Sequence, residues 1–282
     1  MLAQRVITAV VGIPILVLLN HIGDGIYTVV AALLLGLAAL EFFATTDPEN
    51  LATSTAHPHI RRAPPGLFQQ RRPAMLAACA VVVVVILADG GLDQLAGGLA
   101  AAVAGVFVLL VLSGEPHAGL RDWSWLLAGI FYVGFLGAHF ILLRDLDQGE
   151  EWVLLALFAT FIADTAAFFA GRRFGRVLIA PEISPGKTLE GSFAGYIGGF
   201  VAVLLLAWLL DLDISASEAA LLGLLLPPVA IAGDLAESLL KRGGGVKDTG
   251  AIVPGHGGLL DRIDSLLFTV PLVYYFVLWI VY

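Results

Sequence analysis

All three lysines of the chain, Lys187, Lys241 and Lys247, fall in two short polar stretches, and each stretch adjoins an apolar run that ends in a carboxylate. The denser stretch runs from Gly233 to Ser265 and contains Asp234, Glu237, Ser238, Lys241, Arg242, Lys247, Asp248, His256, Asp261, Arg262 and Asp264. On a helix, Asp234, Glu237, Ser238 and Lys241 share one face at i, i+3, i+4 and i+7, and Asp261, Asp264 and Ser265 repeat the first three of these offsets. Between the two sets lie seven glycines, among them Gly257 and Gly258. Hard divalent cations such as Mg²⁺ take one or two carboxylates together with water and substrate phosphates. Lys and Arg then hold the remaining phosphate oxygens, and glycines let backbone N–H groups approach them. These parts fit phosphoryl or nucleotidyl transfer, in which positioning and charge neutralisation supply most of the catalysis.

The other stretch holds Asp164 inside an apolar run, then Arg172, Arg173 and Arg176, and then Ser184-Pro185-Gly186-Lys187-Thr188. An ionised carboxylate within a span costs about 2.5–3.5 kcal/mol, so Asp164 calls for a cation, a metal or a proton. Gly186-Lys187-Thr188 is not a Walker loop, because Pro181 stands where that motif requires glycine and no strand is expected to launch one. The segment reads either as a rigid turn that offers Ser184, Lys187 and Thr188 to a phosphate, or as a capped loop whose lysine sets topology. His256 is open in the same way between a structural role and a phosphate contact. Glu41 and His139, each alone in an apolar run, read as helix-packing polar groups.

The elements that position these residues must be membrane helices. Of 282 residues, 59% are hydrophobic and 13% charged, and mean hydropathy is +0.92. A soluble domain has about 25% charged residues. The net charge of −8 argues against nucleic-acid binding, and one cysteine excludes an internal disulfide framework and a cysteine-based zinc site. A bilayer core needs roughly 20 apolar residues per helix. Such runs occur near 6–22, 26–44, 74–88, 95–113, 125–143, 152–170, 191–210, 219–240 and 264–282, which predicts an all-α polytopic protein of about nine spans. The β-branched run Val81–Val85 suggests a partly re-entrant third segment, and Pro227-Pro228 a kink or break in the eighth. Loop 45–73, rich in Pro and Arg, reads as irregular. Residues 1–150 form a five-helix membrane region, and 151–282 a four-helix catalytic region with polar loops 171–190 and 241–263.

If nine spans alternate, fourteen of the fifteen Lys and Arg residues fall on one side, with only Arg144 on the other. The positive-inside rule then places the N-terminus in the cytoplasm and Tyr282 outside. Gly191, Gly195 and Gly199 recur every four residues and predict a close helix contact. A transporter would carry its ionisable groups at mid-membrane in several helices, whereas here they gather at one edge beside basic loops. A purely structural membrane protein would have no reason to collect every lysine at two phosphate-like loops.

The two polar stretches resemble the phosphatidate cytidylyltransferase family, also called CDP-diglyceride synthases. Ser238, Lys241, Arg242, Lys247, Asp248, Pro254, His256, Gly257, Gly258, Asp261, Arg262 and Asp264 match its long polar signature. The segments around Asp164 and Ser184–Thr188 resemble its second block, so the likeness covers about 162–265. Gly243, Val253 and Leu189 depart from the pattern without removing a carboxylate or lysine. The resemblance implies transfer of a cytidylyl group from CTP to phosphatidate, giving CDP-diacylglycerol and pyrophosphate for phospholipid synthesis. It implies Mg²⁺, and room for a second cation, with Asp234 and Asp261 as central ligands and Asp264, Asp248 and Asp164 as further ones. Lys187, Lys241, Arg242, Lys247 and His256 would hold the triphosphate, with Ser184, Thr188, Ser238, Gly257, Gly258 and Arg262 lining the substrate site. A homodimer in a bacterial plasma membrane, with its active site facing the cytoplasm, is the implied setting. Another CTP-dependent lipid, such as a polyprenol or archaeol derivative, is the nearest alternative substrate.

Overall fold

The computed structural model describes residues 2–49, 70–114, 119–250, 252 and 257–282, with residues 2–9 described by their backbone alone. His256 and Pro254, and most of the loop expected over 45–73, including Arg61 and Arg62, lie outside the described residues. The chain is an all-α polytopic membrane protein, and each predicted apolar segment falls within a helical region. In chain order these are α1 (Leu2–Ile22), α2 (Asp24–Thr46), α3 (Arg72–Leu87), α4 (Gly91–Ser113), α5 (Gly119–Arg144), α6 (Gly149–Phe174), α7 (Leu189–Leu209), α8 (Ala216–Gly243), α9 (Leu260–Ile263) and α10 (Leu266–Phe276). Helix α5 carries a π-helical turn at Ile130–Phe135, and α10 ends in another at Val277–Val281. Among the described residues, seven helical stretches are long and apolar enough to cross a membrane. One of them, Arg72–Ser113, has 42 residues and is interrupted by the 3₁₀ turn Ala88–Gly90, which separates α3 from α4.

Three local segments bear on what the sequence suggests. Val81–Val85 is ordinary helix within α3, with Val81, Val84 and Val85 buried, because β-branched residues tolerate a helix when packing holds their one preferred rotamer. Helix α8 continues through Pro227 and Pro228, so the break that the sequence allowed does not occur. Gly199 makes room for the first proline, since a Cβ there would stand 2.8 Å from Pro227 Cγ. In the third, the expected loop is instead a β-hairpin, β1 (Leu178–Ala180) paired antiparallel with β2 (Ser184–Thr188).

The chain divides into two compact units. The first comprises residues 1–142 and 240–263. Its helices pack through small residues: a Cβ on Gly36 would meet Val82 Cγ2 at 2.5 Å, and Gly129 lies against Phe43. Arg71, just before α3, pairs with Asp122 at 2.8 Å, Glu49 at 2.9 Å and Asp47 at 3.2 Å, and stacks over Trp125. Burial works against its charge, yet the Asp122 hydrogen bond and the neighbouring carboxylates hold the guanidinium pKa above its usual value.

The second unit comprises residues 143–239 and 264–282. Its α6 and α7 pack along the predicted glycine stripe. A Cβ on Gly195 would stand 2.8 Å from Ala167 Cβ and 2.9 Å from the Ala163 carbonyl oxygen. Gly195→Leu is therefore expected to lower stability by about 1–3 kcal/mol through overpacking. Thermal unfolding in detergent checks this, with Gly105→Leu as control, because a Cβ there meets nothing within 4 Å. Thr160 and Thr269 share a buried 3.0 Å hydrogen bond between α6 and α10.

Candidate active site

In the second unit, the extended chain of β2 delivers Lys187. The segment Ser184–Thr188 is a strand rather than the rigid turn expected from Ser-Pro-Gly, and the reversal occurs one step earlier, over Pro181–Ile183. A backbone bond from Leu189 N–H to the Val177 carbonyl, 2.8 Å, closes the hairpin base. The Glu190 carboxylate accepts the N–H groups of Arg176 and Val177 at 3.0 and 3.3 Å. Thr188 caps α7, its Oγ1 accepting Gly191 N–H at 3.2 Å. Capping satisfies one of the unpaired N–H groups at a helix start and fixes where the strand ends. Lys187 then reaches Asp234 on α8, with Nζ 2.7 Å from Oδ2 and 3.5 Å from the Ile231 carbonyl oxygen. Neither side chain is sealed, at 19% and 32% exposure. Ser238, one turn on, donates to Asp234 Oδ1 at 3.4 Å. Asp164 is exposed on α6, and Asp264 accepts its neighbour's Ser265 N–H at 2.6 Å.

In the first unit, Asp261 organises the glycine-rich segment. Its Oδ2 accepts Gly258 N–H at 2.8 Å, Thr249 N–H at 3.0 Å and the Thr249 hydroxyl at 3.1 Å. Its Oδ1 accepts from Lys241 Nζ at 2.8 Å. The carboxylate is nearly sealed, at 3% exposure. Gly257 has φ +92°, in the region that favours glycine, and a Cβ there would lie 3.1 Å from Asp261 Oδ2 and 3.5 Å from Asp248 Cβ. Asp248 and Asp261 are thus brought to the same glycine. Arg242 donates to the Val246 carbonyl at 3.4 Å and tightens the turn that follows α8. Lys247, Asp248 and Arg262 are exposed.

Glu41, read from the sequence as a helix-packing group, belongs to this cluster. It is buried, and its Oε2 accepts Leu260 N–H at 2.8 Å and lies 3.4 Å from Thr249 Oγ1. An ionisable residue in a span is a functional candidate on cost alone, and that was the available signal. His139 does pack as expected, its Nδ1 2.8 Å from the Phe135 carbonyl oxygen.

Each unit therefore pairs a lysine with an aspartate on polar ground. The donor set is hard oxygen, the kind Mg²⁺ selects. Among the described residues, no three acidic or histidine side chains come together as a metal cage. One or two carboxylates completed by phosphate oxygens is the arrangement such a donor set suits. Lys187 Nζ and Lys241 Nζ lie 2.7 and 2.8 Å from carboxylate oxygens, and a lysine amine is a donor that can also meet an anionic ligand.

Comparison with known proteins places the chain. A phosphatidate cytidylyltransferase of Synechocystis sp. is 31% identical over 302 residues, covering 97% of this chain and 96% of its own length. One from Bacillus subtilis is 40% identical over 145 residues, covering 51% of this chain and 54% of the relative. One from Staphylococcus haemolyticus is 36% identical over 177 residues, covering 62% and 67%. The sequence profile described as "Cytidylyltransferase family" matches residues 3–280. The chain belongs to the cytidylyltransferase family and is a nucleotidyltransferase.

Proposed function

We propose that this enzyme transfers the cytidylyl group of CTP to phosphatidate, forming CDP-diacylglycerol and releasing pyrophosphate. The observation that carries the reading is the pairing of Lys187 with Asp234 and of Lys241 with Asp261, all four within the polar stretches that resemble phosphatidate cytidylyltransferases. The names of the full-length and partial relatives support the same substrate.

In this mechanism an oxygen of the lipid phosphate attacks the α-phosphorus of CTP, a P–O bond forms, and the bond to the β-phosphate oxygen breaks. A phosphate monoester is already an anion near neutral pH, so no general base is required. Lys187, Lys241, Arg242, Lys247 and His256 hold the triphosphate, and Arg262, Ser184, Thr188, Ser238 and the Gly257-Gly258 backbone line the substrate site. Asp234 and Asp261 are Mg²⁺ ligands, with Asp248, Asp264 and Asp164 as further ligands or supports. Bound Mg²⁺ supplies charge neutralisation at the phosphates. Orientation holds the substrates in line, which is where most of the rate enhancement in such transfers originates.

The proposed setting is a bacterial plasma membrane crossed about nine times, with a cytoplasmic N-terminus and a cytoplasmic active site. The distribution of Lys and Arg supports this orientation. A homodimer is the proposed assembly. The deciding experiment supplies detergent-purified protein with CTP, phosphatidate and Mg²⁺ and follows pyrophosphate release, omitting each component in turn. Release that requires phosphatidate is expected. Release that proceeds only with a polyprenol or archaeol lipid would overturn the substrate assignment.

A further inference from the structure

We propose that Glu41 is a positioning residue for Asp261, reaching from the second helix to set the geometry of the glycine-rich segment. The inference rests on the reading that Asp261 serves the transfer reaction.

Glu41 lies in α2, within a stretch from Val29 to Ala44 that is otherwise free of polar side chains, and is 1% exposed. Placing a carboxylate there is costly, and interactions with one side of the segment account for its presence. Its Oε2 accepts the N–H of Leu260, the residue immediately before Asp261, at 2.8 Å. The same oxygen lies 3.4 Å from the Thr249 hydroxyl, which is itself 3.1 Å from Asp261 Oδ2. Glu41 thus touches both supports of Asp261: the backbone that carries it and the threonine that donates to it. The segment is shaped to admit the carboxylate. A Cβ on Gly258 would stand 2.7 Å from Glu41 Oε2, and one on Gly250 would collide with Oε1. Thr45, one turn along the same helix, donates to the Thr249 carbonyl at 3.4 Å, and Gly244 lies against the Thr45 backbone. The end of α2 therefore acts as a template against which Gly244, Thr249, Gly250, Gly258 and Leu260 are laid. Fixing these supports leaves Asp261 Oδ1, which faces Lys241 Nζ at 2.8 Å, in a defined place.

Glu41→Asp tests this, because it keeps the carboxyl group and shortens the reach by one methylene. A displacement of about 1 Å in a catalytic group can cost on the order of 10²-fold, so kcat per folded enzyme is expected to fall about 10- to 100-fold while KM for CTP changes little. Glu41→Gln retains an oxygen for Leu260 N–H and is expected to keep kcat within about threefold of wild type, which is rescue by the conservative variant. Thr249→Val removes the hydroxyl link, and combining it with Glu41→Asp is expected to cost less than the product of the two single losses. Binding of Mn²⁺ alone, followed by electron paramagnetic resonance, supplies a readout independent of turnover, and Glu41→Asp is expected to weaken it. A lowered unfolding temperature with unchanged kcat and unchanged Mn²⁺ binding would show that Glu41 only holds the fold, and would overturn the proposal. Asp261→Asn serves as the reference. If that variant turns over at the wild-type rate, the reading of Asp261 itself fails; if it is inactive while Glu41→Asp is unimpaired, only the positioning role fails.

Discussion

Asp261→Asn is expected to reduce kcat by about 10³-fold, the scale seen when one preorganised electrostatic contact to a transition state is removed. Asp261 is the point where four donors meet, with Oδ2 taking two backbone N–H groups and a hydroxyl and Oδ1 taking Lys241. An amide in its place must turn an NH₂ group either toward those N–H donors or toward the ammonium, and neither can accept the exchange. The substitution also removes the carboxylate that lies 2.8 Å from Lys241 Nζ, whose side chain is 13% exposed. Breaking a buried ion pair by removing one partner costs about 3–5 kcal/mol, so unfolding in detergent is expected to shift downward as well. The kinetic and structural effects separate when kcat is normalised to the folded fraction. A folded Asp261→Asn enzyme with wild-type kcat at saturating Mg²⁺ would remove Asp261 from the chemistry.

Lys187→Met carries the second large effect, and it is expected in kcat/KM for CTP, by about 10²-fold. A charge-assisted contact to phosphate contributes roughly 1.5–3 kcal/mol, and about 2.7 kcal/mol corresponds to a hundredfold. The stability change should be small, because Lys187 and Asp234 are 19% and 32% exposed and solvent screens the pair. Lys187→Arg is expected to recover little. The lysine approaches Asp234 at 2.7 Å as a point charge from an extended strand, and a planar guanidinium has different reach and geometry. Steady-state kinetics with varied CTP and with varied lipid distinguish the outcomes. A loss confined to KM for the lipid would assign Lys187 to the other substrate.

The apolar helices were legible in the sequence because hydrophobic length is a local property that a bilayer enforces directly. The cluster around Asp261 was legible in part, since Lys241, Thr249, Gly258 and Asp261 lie within 21 residues of one another. Glu41 was not, because its partner Leu260 is 219 positions away, and nothing near Glu41 in sequence announces a loop so distant. The hairpin escaped for a different reason. Its strands have three and five residues, too few for a periodic signal, and Ser184-Pro185-Gly186 has the composition of a turn. Its strand form follows from closure at the base, where Glu190 and Leu189 hold Arg176 and Val177. The unbroken α8 shows a third limit: Pro227 removes a helix hydrogen bond, but whether the helix survives depends on Gly199 of another helix leaving room for the ring.

The most direct measurement determines, for Asp261→Asn and for Asp234→Asn separately, kcat and the Mg²⁺ concentration that gives half-maximal turnover. If these aspartates bind Mg²⁺ that neutralises the CTP phosphates, each variant should need far more Mg²⁺ than the wild type. A loss of kcat with the Mg²⁺ requirement left at its wild-type value would contradict it.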